Sequence, residues 1–157
     1  MRVKGLVPED FIQYKKPSMF LICPFCSFKC DIENGTQICQ NWSLAKAPII
    51  EVETNKIIQQ YLDNPITKAV VFGGLEPLDS FDEVLEFIQN LRQHCLDDVV
   101  IYTGYYADEI RDKLEILKNY PNIIVKFGRF IPNQKSRFDD VLGINLASDN
   151  QYAEQIS

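Results

Sequence analysis

Residues 68–77 read Lys-Ala-Val-Val-Phe-Gly-Gly-Leu-Glu-Pro, and this stretch decides the fold. Lys68–Phe72 is an apolar run with little alternation, which predicts a strand covered on both faces, as in a parallel sheet. Asp79 or Ser80 can then cap a helix that runs to about His94. The same signals repeat downstream. Asp98–Tyr102 (DVVIY) is a second such strand, a helix spans about 107–118, and Asn122–Phe127 (NIIVKF) is a third strand. Upstream, Met19–Ile22 (MFLI) is a short strand entered through Pro17. A helix over about 53–62 places Ile57, Ile58, Tyr61 and Leu62 on one side and stops at Asn64–Pro65. Strands alternating with helices of this length are βαβ units, so the expected class is α/β with a mostly parallel sheet of about five strands. The last of these is a candidate near Val141–Leu146.

Size and composition bound what such a sheet can serve. The 157 residues are expected to form one domain, 1–157. An apolar share of 46% and a charged share of 24% fit a soluble globular chain. The net charge is -6 and Lys15–Lys16 is the densest basic spot, so a nucleic-acid partner is not expected. No apolar run approaches the ~18 residues of a membrane span. The opening MRVKGLVPEDF is mixed and charged, unlike a signal peptide. The expectation is a cytoplasmic protein without a membrane association, in a compartment where thiols stay reduced.

That makes the cysteines informative. Cys23, Cys26, Cys30 and Cys39 crowd one predicted loop, 23–42, directly after the first strand. Thiolates bind zinc, copper(I) or iron–sulfur clusters, and spacing alone leaves a four-ligand zinc site and a cluster both open. Cys95 follows a helix and reads as a packing thiol. His94 is the only histidine, and no nucleophile–base arrangement can be assembled around it. In α/β sheets, ligands gather beyond the carboxyl ends of the strands. The unusual peptides of this chain all lie there: the cysteine loop, Gly73-Gly-Leu-Glu-Pro77 and Thr103-Gly-Tyr105.

The peptide Cys26-x3-Cys30 has the gap that opens the cluster motif of radical S-adenosylmethionine enzymes, and Cys39-Gln40-Asn41 resembles the end of that motif. Val70-Val-Phe-Gly-Gly-Leu-Glu-Pro77 resembles the Gly-Gly-Glu-Pro peptide of the same superfamily. Tyr102-Thr-Gly-Tyr105, Lys126-Phe-Gly-Arg-Phe130 and Ala147-Ser-Asp-Asn-Gln151 are similar to peptides of the activating proteins of anaerobic ribonucleoside-triphosphate reductase. The resemblance runs from about residue 17 to residue 152.

It implies a partial, open βα barrel that holds a [4Fe–4S] cluster on Cys26, Cys30 and Cys39. Cys23 is the alternative ligand, through the triple Cys23, Cys26 and Cys30. It further implies that Gln40, Asn41, Gly73, Gly74, Glu76, Thr103, Gly104 and Tyr105 border bound S-adenosylmethionine. The implied activity is that of an oxidoreductase, a radical S-adenosylmethionine activase. On this resemblance, an electron from flavodoxin or ferredoxin would cleave S-adenosylmethionine to a 5′-deoxyadenosyl radical. That radical would then install a glycyl radical on a large partner enzyme, as the resemblance implies, a class III ribonucleotide reductase. Two departures stand out: eight residues (Asp31–Ile38) separate Cys30 from Cys39 where the family has two, and Leu75 is inserted before Glu76. A radical enzyme acting on another peptide or small molecule, and a non-catalytic zinc-stabilised adaptor, are the alternative readings.

Overall fold

The structure is a computed structural model and describes residues 1–157. The N-terminal segment forms β1 (Arg2–Val3) and β2 (Gly5–Asp10), followed by β3 (Ser18–Ile22). Within the cysteine loop lie two short helices, α1 (Lys29–Asn34) and α2 (Trp42–Lys46). After β4 (Ile50–Glu51) come α3 (Thr54–Asp63), β5 (Ala69–Gly73), α4 (Phe81–Leu91) and β6 (Asp98–Tyr102). The chain continues with α5 (Arg111–Leu117), β7 (Ile123–Phe127), β8 (Arg137–Asp139), β9 (Ile144–Leu146) and β10 (Tyr152–Gln155). Single 3-10 turns at Pro77–Ser80 and Ala107–Glu109 lead into α4 and α5. No helix is long and apolar enough to cross a membrane.

The main sheet has six strands in the order β10-β7-β6-β5-β3-β2. The four central strands are parallel, and antiparallel β2 and β10 form the edges. The edges do not pair with one another, so the sheet stays open. The strand expected near Val141–Leu146 is not part of it. Ile144–Leu146 pairs instead with β8 in a separate hairpin, and the edge places are filled by β2 and β10.

Alternation within the buried strands assigns each face. Val70, Phe72, Val99, Ile101, Ile123, Val125 and Phe127 join Ile57, Phe87, Leu91 and Leu117 of the helices in the larger core. All three long helices therefore cover one face. On the other face Ala69, Val71, Val100 and Ile124 pack against Tyr14, Leu142, Leu146 and Ala153. The tail thus plugs the amino-terminal half of the uncovered face. Each buried Val, Leu, Ile or Phe contributes about 1.5–3 kcal/mol, which accounts for the run-like strands. One pleat further along that same face, towards the strands' carboxyl ends, the residues are Gly73, Tyr102 and Lys126. The plug ends there and a cavity begins.

Candidate metal centre and ligand cavity

The cysteine loop leaves β3 through Cys23, whose N–H donates to the Gly73 carbonyl at 2.9 Å. This bond prolongs the β3–β5 pairing and turns Cys23 into the helix-covered core, where it is 0% exposed. Burial pushes its thiol well above the ordinary range. The next residues are pinned to the loop after β5. The Glu76 N–H donates to the Phe25 carbonyl at 2.9 Å, and the Ser27 N–H donates to Asp79 at 2.5 Å. The Tyr105 hydroxyl donates to the other oxygen of Asp79 at 2.7 Å.

Phe28 then adopts a left-handed conformation (φ 52°) and α1 begins. This helix has no buried residue, so polar ties hold it to the body. Lys29 meets Glu109 at 3.2 Å, and Glu33 meets the buried guanidinium of Arg129 at 2.8 Å. Gly35 (φ 71°) ends the helix, as glycine can at no steric cost. Asp31 closes the rest of the spacer. One carboxylate oxygen accepts from the N–H groups of Ile38 and Cys39, both at 2.8 Å, and the other accepts from the Trp42 indole at 2.6 Å. Trp42 stacks on Phe28 with ring centroids 4.3 Å apart. The eight-residue spacer is thereby folded into a compact turn that returns Cys39 to the cavity.

Cys26, Cys30 and Cys39 all line one cavity of about 400 Å³. None is in a disulfide and each is half-buried. The sulfur of Cys26 accepts from the Phe28 N–H at 3.3 Å, and that of Cys39 from the Asn41 N–H at 3.4 Å. Burial pushes the Cys26 thiol up to about 12 and raises that of Cys39, each against its N–H donor. A positively charged inorganic centre reverses that penalty, because thiolates are the forms that ligate. No three His, Cys, Asp or Glu side chains converge on one point where a single ion would sit. Three thiols that open on one cavity, two of them with N–H donors to sulfur, are a donor set that thiolate-ligated metal centres use.

The opposite wall comes from the strand ends. Glu76 is 7% exposed and accepts from the Thr103 hydroxyl (2.8 Å), the Gly104 N–H (2.8 Å) and the Leu78 N–H (3.0 Å). Burial nevertheless pushes its carboxyl up to about 7, the three bonds offsetting only part. Asn41 donates to the Gly74 carbonyl at 2.6 Å, joining the cysteine loop to the β5 end. Gly74 has φ +74°, and a Cβ there would lie 2.7 Å from Ile22 Cγ2, so both conformation and space require glycine.

Of the residues singled out in the sequence, Gln40, Asn41, Gly74 and Glu76 line the cavity with the three cysteines, as do Thr103 and Gly104. Gly73 sits behind the wall, where Phe20 and Tyr102 cover it. Tyr105 turns away from the cavity towards Asp79, with the Lys29 ammonium 4.5 Å above its ring. Lys126, which the sequence marks only as part of the Lys126–Phe130 peptide and not as a site residue, also lines the cavity; its buried ammonium donates to the Gly128 carbonyl at 3.0 Å, and burial lowers its pKa to about 8. A lysine on the uncovered face of an otherwise apolar strand was the signal for it. The tail adds a wall of Ile144, Leu146 and Gln151, residues that the sequence marks as a strand candidate and as part of the Ala147–Gln151 peptide but not as cavity lining.

Comparison with known proteins adds one finding. The family described as "4Fe-4S single cluster domain" matches residues 18–151. No curated protein and no solved structure matches the chain.

Proposed function

Because the chain belongs to the 4Fe-4S single cluster domain family, and is thus an iron–sulfur protein, we propose that it cleaves S-adenosylmethionine reductively and serves as a glycyl-radical activase. The observation that carries this reading is the shared cavity. Cys26, Cys30 and Cys39 open onto the same space as Asn41, Glu76 and Thr103.

Cys26, Cys30 and Cys39 would hold the cluster. Three thiolates on four irons leave one iron without a protein ligand, whereas electron-transfer clusters use four. When bound, such a cluster would supply one-electron reduction of the S-adenosylmethionine sulfonium. The chain's own residues bind and orient. Glu76 offers a buried carboxylate to the substrate ammonium, a charge-assisted contact in a desolvated site. Lys126 offers the complementary charge to the substrate carboxylate. Asn41 fixes the Gly74 carbonyl at the rim, and Phe20, Leu44 and Leu146 give the cavity apolar walls that exclude water.

The volume bears on the target. A space of about 400 Å³ is at the small end for ligand sites, and the cluster and S-adenosylmethionine would share it. Below it, Leu142 and Tyr14 plug the uncovered face. A hydrogen donor therefore has to reach the mouth from outside, which favours a segment of a large partner such as a class III ribonucleotide reductase. Flavodoxin or ferredoxin is the proposed electron donor.

The test is anaerobic reconstitution with iron, sulfide and zinc counted, followed by dithionite reduction with S-adenosylmethionine. About four irons and four sulfides per chain, with 5′-deoxyadenosine formed, is the expected result. One tight zinc, no sulfide and no 5′-deoxyadenosine would overturn it. Co-purification with a glycyl-radical enzyme then tests the partner.

A further inference from the structure

We propose that Asp31 is the positioning residue of the cluster site: its carboxylate folds the eight-residue spacer so that Cys39 stands beside Cys26 and Cys30. The proposal rests on the reading of these three cysteines as the ligands.

The spacer has few other constraints. Helix α1 buries no side chain, and the segment 35–41 contributes nothing to either core. Lys29 and Glu33 tie α1 to Glu109 and Arg129, but both lie before the spacer's turn and neither touches Cys39. Asp31 is the one residue within the helix whose side chain bonds to the far side of the spacer. Its two oxygens hold different partners. Oδ1 accepts from Ile38 and Cys39, while Oδ2 accepts from the Trp42 indole. The Cys39 N–H is thus fixed within its sulfur's own residue. The Asn41 N–H fixes the sulfur itself, and the Asn41 side chain fixes the segment to Gly74. The stack of Trp42 on Phe28 joins the two ends of the loop around the spacer. A spacer of two residues would need no such device. One of eight loses little closure entropy but leaves the third thiol unplaced unless something inside it is cross-tied.

The division of oxygens separates this role from a generic one. Asp31→Asn keeps Oδ1 for Ile38 and Cys39 and loses only the indole partner and the charge. Asp31→Ala loses all three bonds. If the residue acted only as a negative charge in the first turn of α1, both substitutions would do equal harm.

The experiment compares wild type, D31N, D31A and C39A, with folding checked by far-UV circular dichroism. In the apo protein, iodoacetamide labelling of Cys39 is followed by peptide mapping, together with emission of Trp42, the only tryptophan. Labelling of Cys39 is expected to accelerate about ten-fold in D31A and to stay within about two-fold of wild type in D31N. After anaerobic reconstitution, D31N is expected to hold the wild-type complement of iron and sulfide with an unchanged reduced-state electron paramagnetic resonance signal. D31A is expected to hold less than about half. A full cluster and wild-type labelling in D31A, or equal failure of D31N and D31A, overturns the assignment. C39A separates this from the ligand reading: a full cluster in C39A sinks that reading. Loss in C39A with a full cluster in D31A sinks only the role of Asp31.

Discussion

Replacing Glu76 with Gln changes how stability depends on pH, and the structure gives the size and sign. Burial holds the folded carboxyl at about 7 against 4.5 in the unfolded chain. The folded state therefore binds the proton more tightly. The stabilisation that Glu76 provides is complete below about pH 4.5 and is lost as pH rises to about 7. The gap is worth about 3 kcal/mol, of which about 2.5 kcal/mol falls between about pH 5 and pH 8. Gln carries no such dependence. Its amide retains an oxygen for Leu78 and Thr103 but sets an N–H against that of Gly104, a fixed loss of about 1–3 kcal/mol. The informative quantity is the stability of wild type minus that of E76Q, in which titrations not coupled to residue 76 cancel. Urea unfolding of reduced apo protein, read by circular dichroism, should show this difference falling by about 2.5 kcal/mol across that range. Lys126 adds to the effect with the same sign: the Glu76 charge holds up its depressed value of about 8, so in E76Q the lysine gives up its proton at lower pH and the variant gains stability within the window, which deepens the fall. A difference that stays flat or rises would refute the reasoning. It would mean that the three hydrogen bonds to Glu76 outweigh its burial.

Three other outcomes follow from particular contacts. Gly74→Ala combines a left-handed φ with a 2.7 Å approach to Ile22, and should cost about 2 kcal/mol and about 5 °C in melting temperature. An unchanged melting point would show that the turn re-forms. Arg129→Ala removes the bonds to Glu109 at 2.6 Å and 2.7 Å; the arginine holds that carboxyl at about 2, and the resulting stability is present above about pH 4.5 and lost as pH falls. The variant should lose about 2 kcal/mol at neutral pH, and its acid-unfolding midpoint should move upward. Cys23→Ala leaves a small core void costing about 1 kcal/mol, and Cys95→Ala costs no more. Both should keep the full iron and sulfide content, and a cluster lost in C23A would make Cys23 a ligand.

The four parallel strands were legible because Val and Ile runs buried on both faces have no other stable use. The edges were not. β2 contains Gly5, Pro8, Glu9 and Asp10, and β10 is the polar Tyr-Ala-Glu-Gln, so each is a strand only because a neighbour's register makes it one. Strand ends announced Glu76, Thr103 and Gly104, since glycine and acid after an apolar run stand out. Tyr105 stood out equally, yet the hydroxyl finds Asp79 and the ring leaves the cavity. Asp31 gave no local signal. Its partners lie seven, eight and eleven residues away and meet it only when α1 has formed. The tail wall was hidden for the same reason on a larger scale: Ile144 and Leu146 are ordinary apolar residues until the sheet provides something to cap.

That wall also sets an order of events during synthesis. The cavity draws its lining from Gln13 at one extreme and Gln151 at the other. Gln151 in turn donates to the Gly128 carbonyl, and Asn150 to the Arg129 carbonyl. A nascent chain can therefore pair β3 with β5 and expose all of its loop cysteines while the pocket still lacks a side. Contacts this distant in sequence form late. The thiols wait, unprotected, for residue 151 to clear the ribosome, and the interval of greatest exposure to oxygen and stray metal precedes the finished fold.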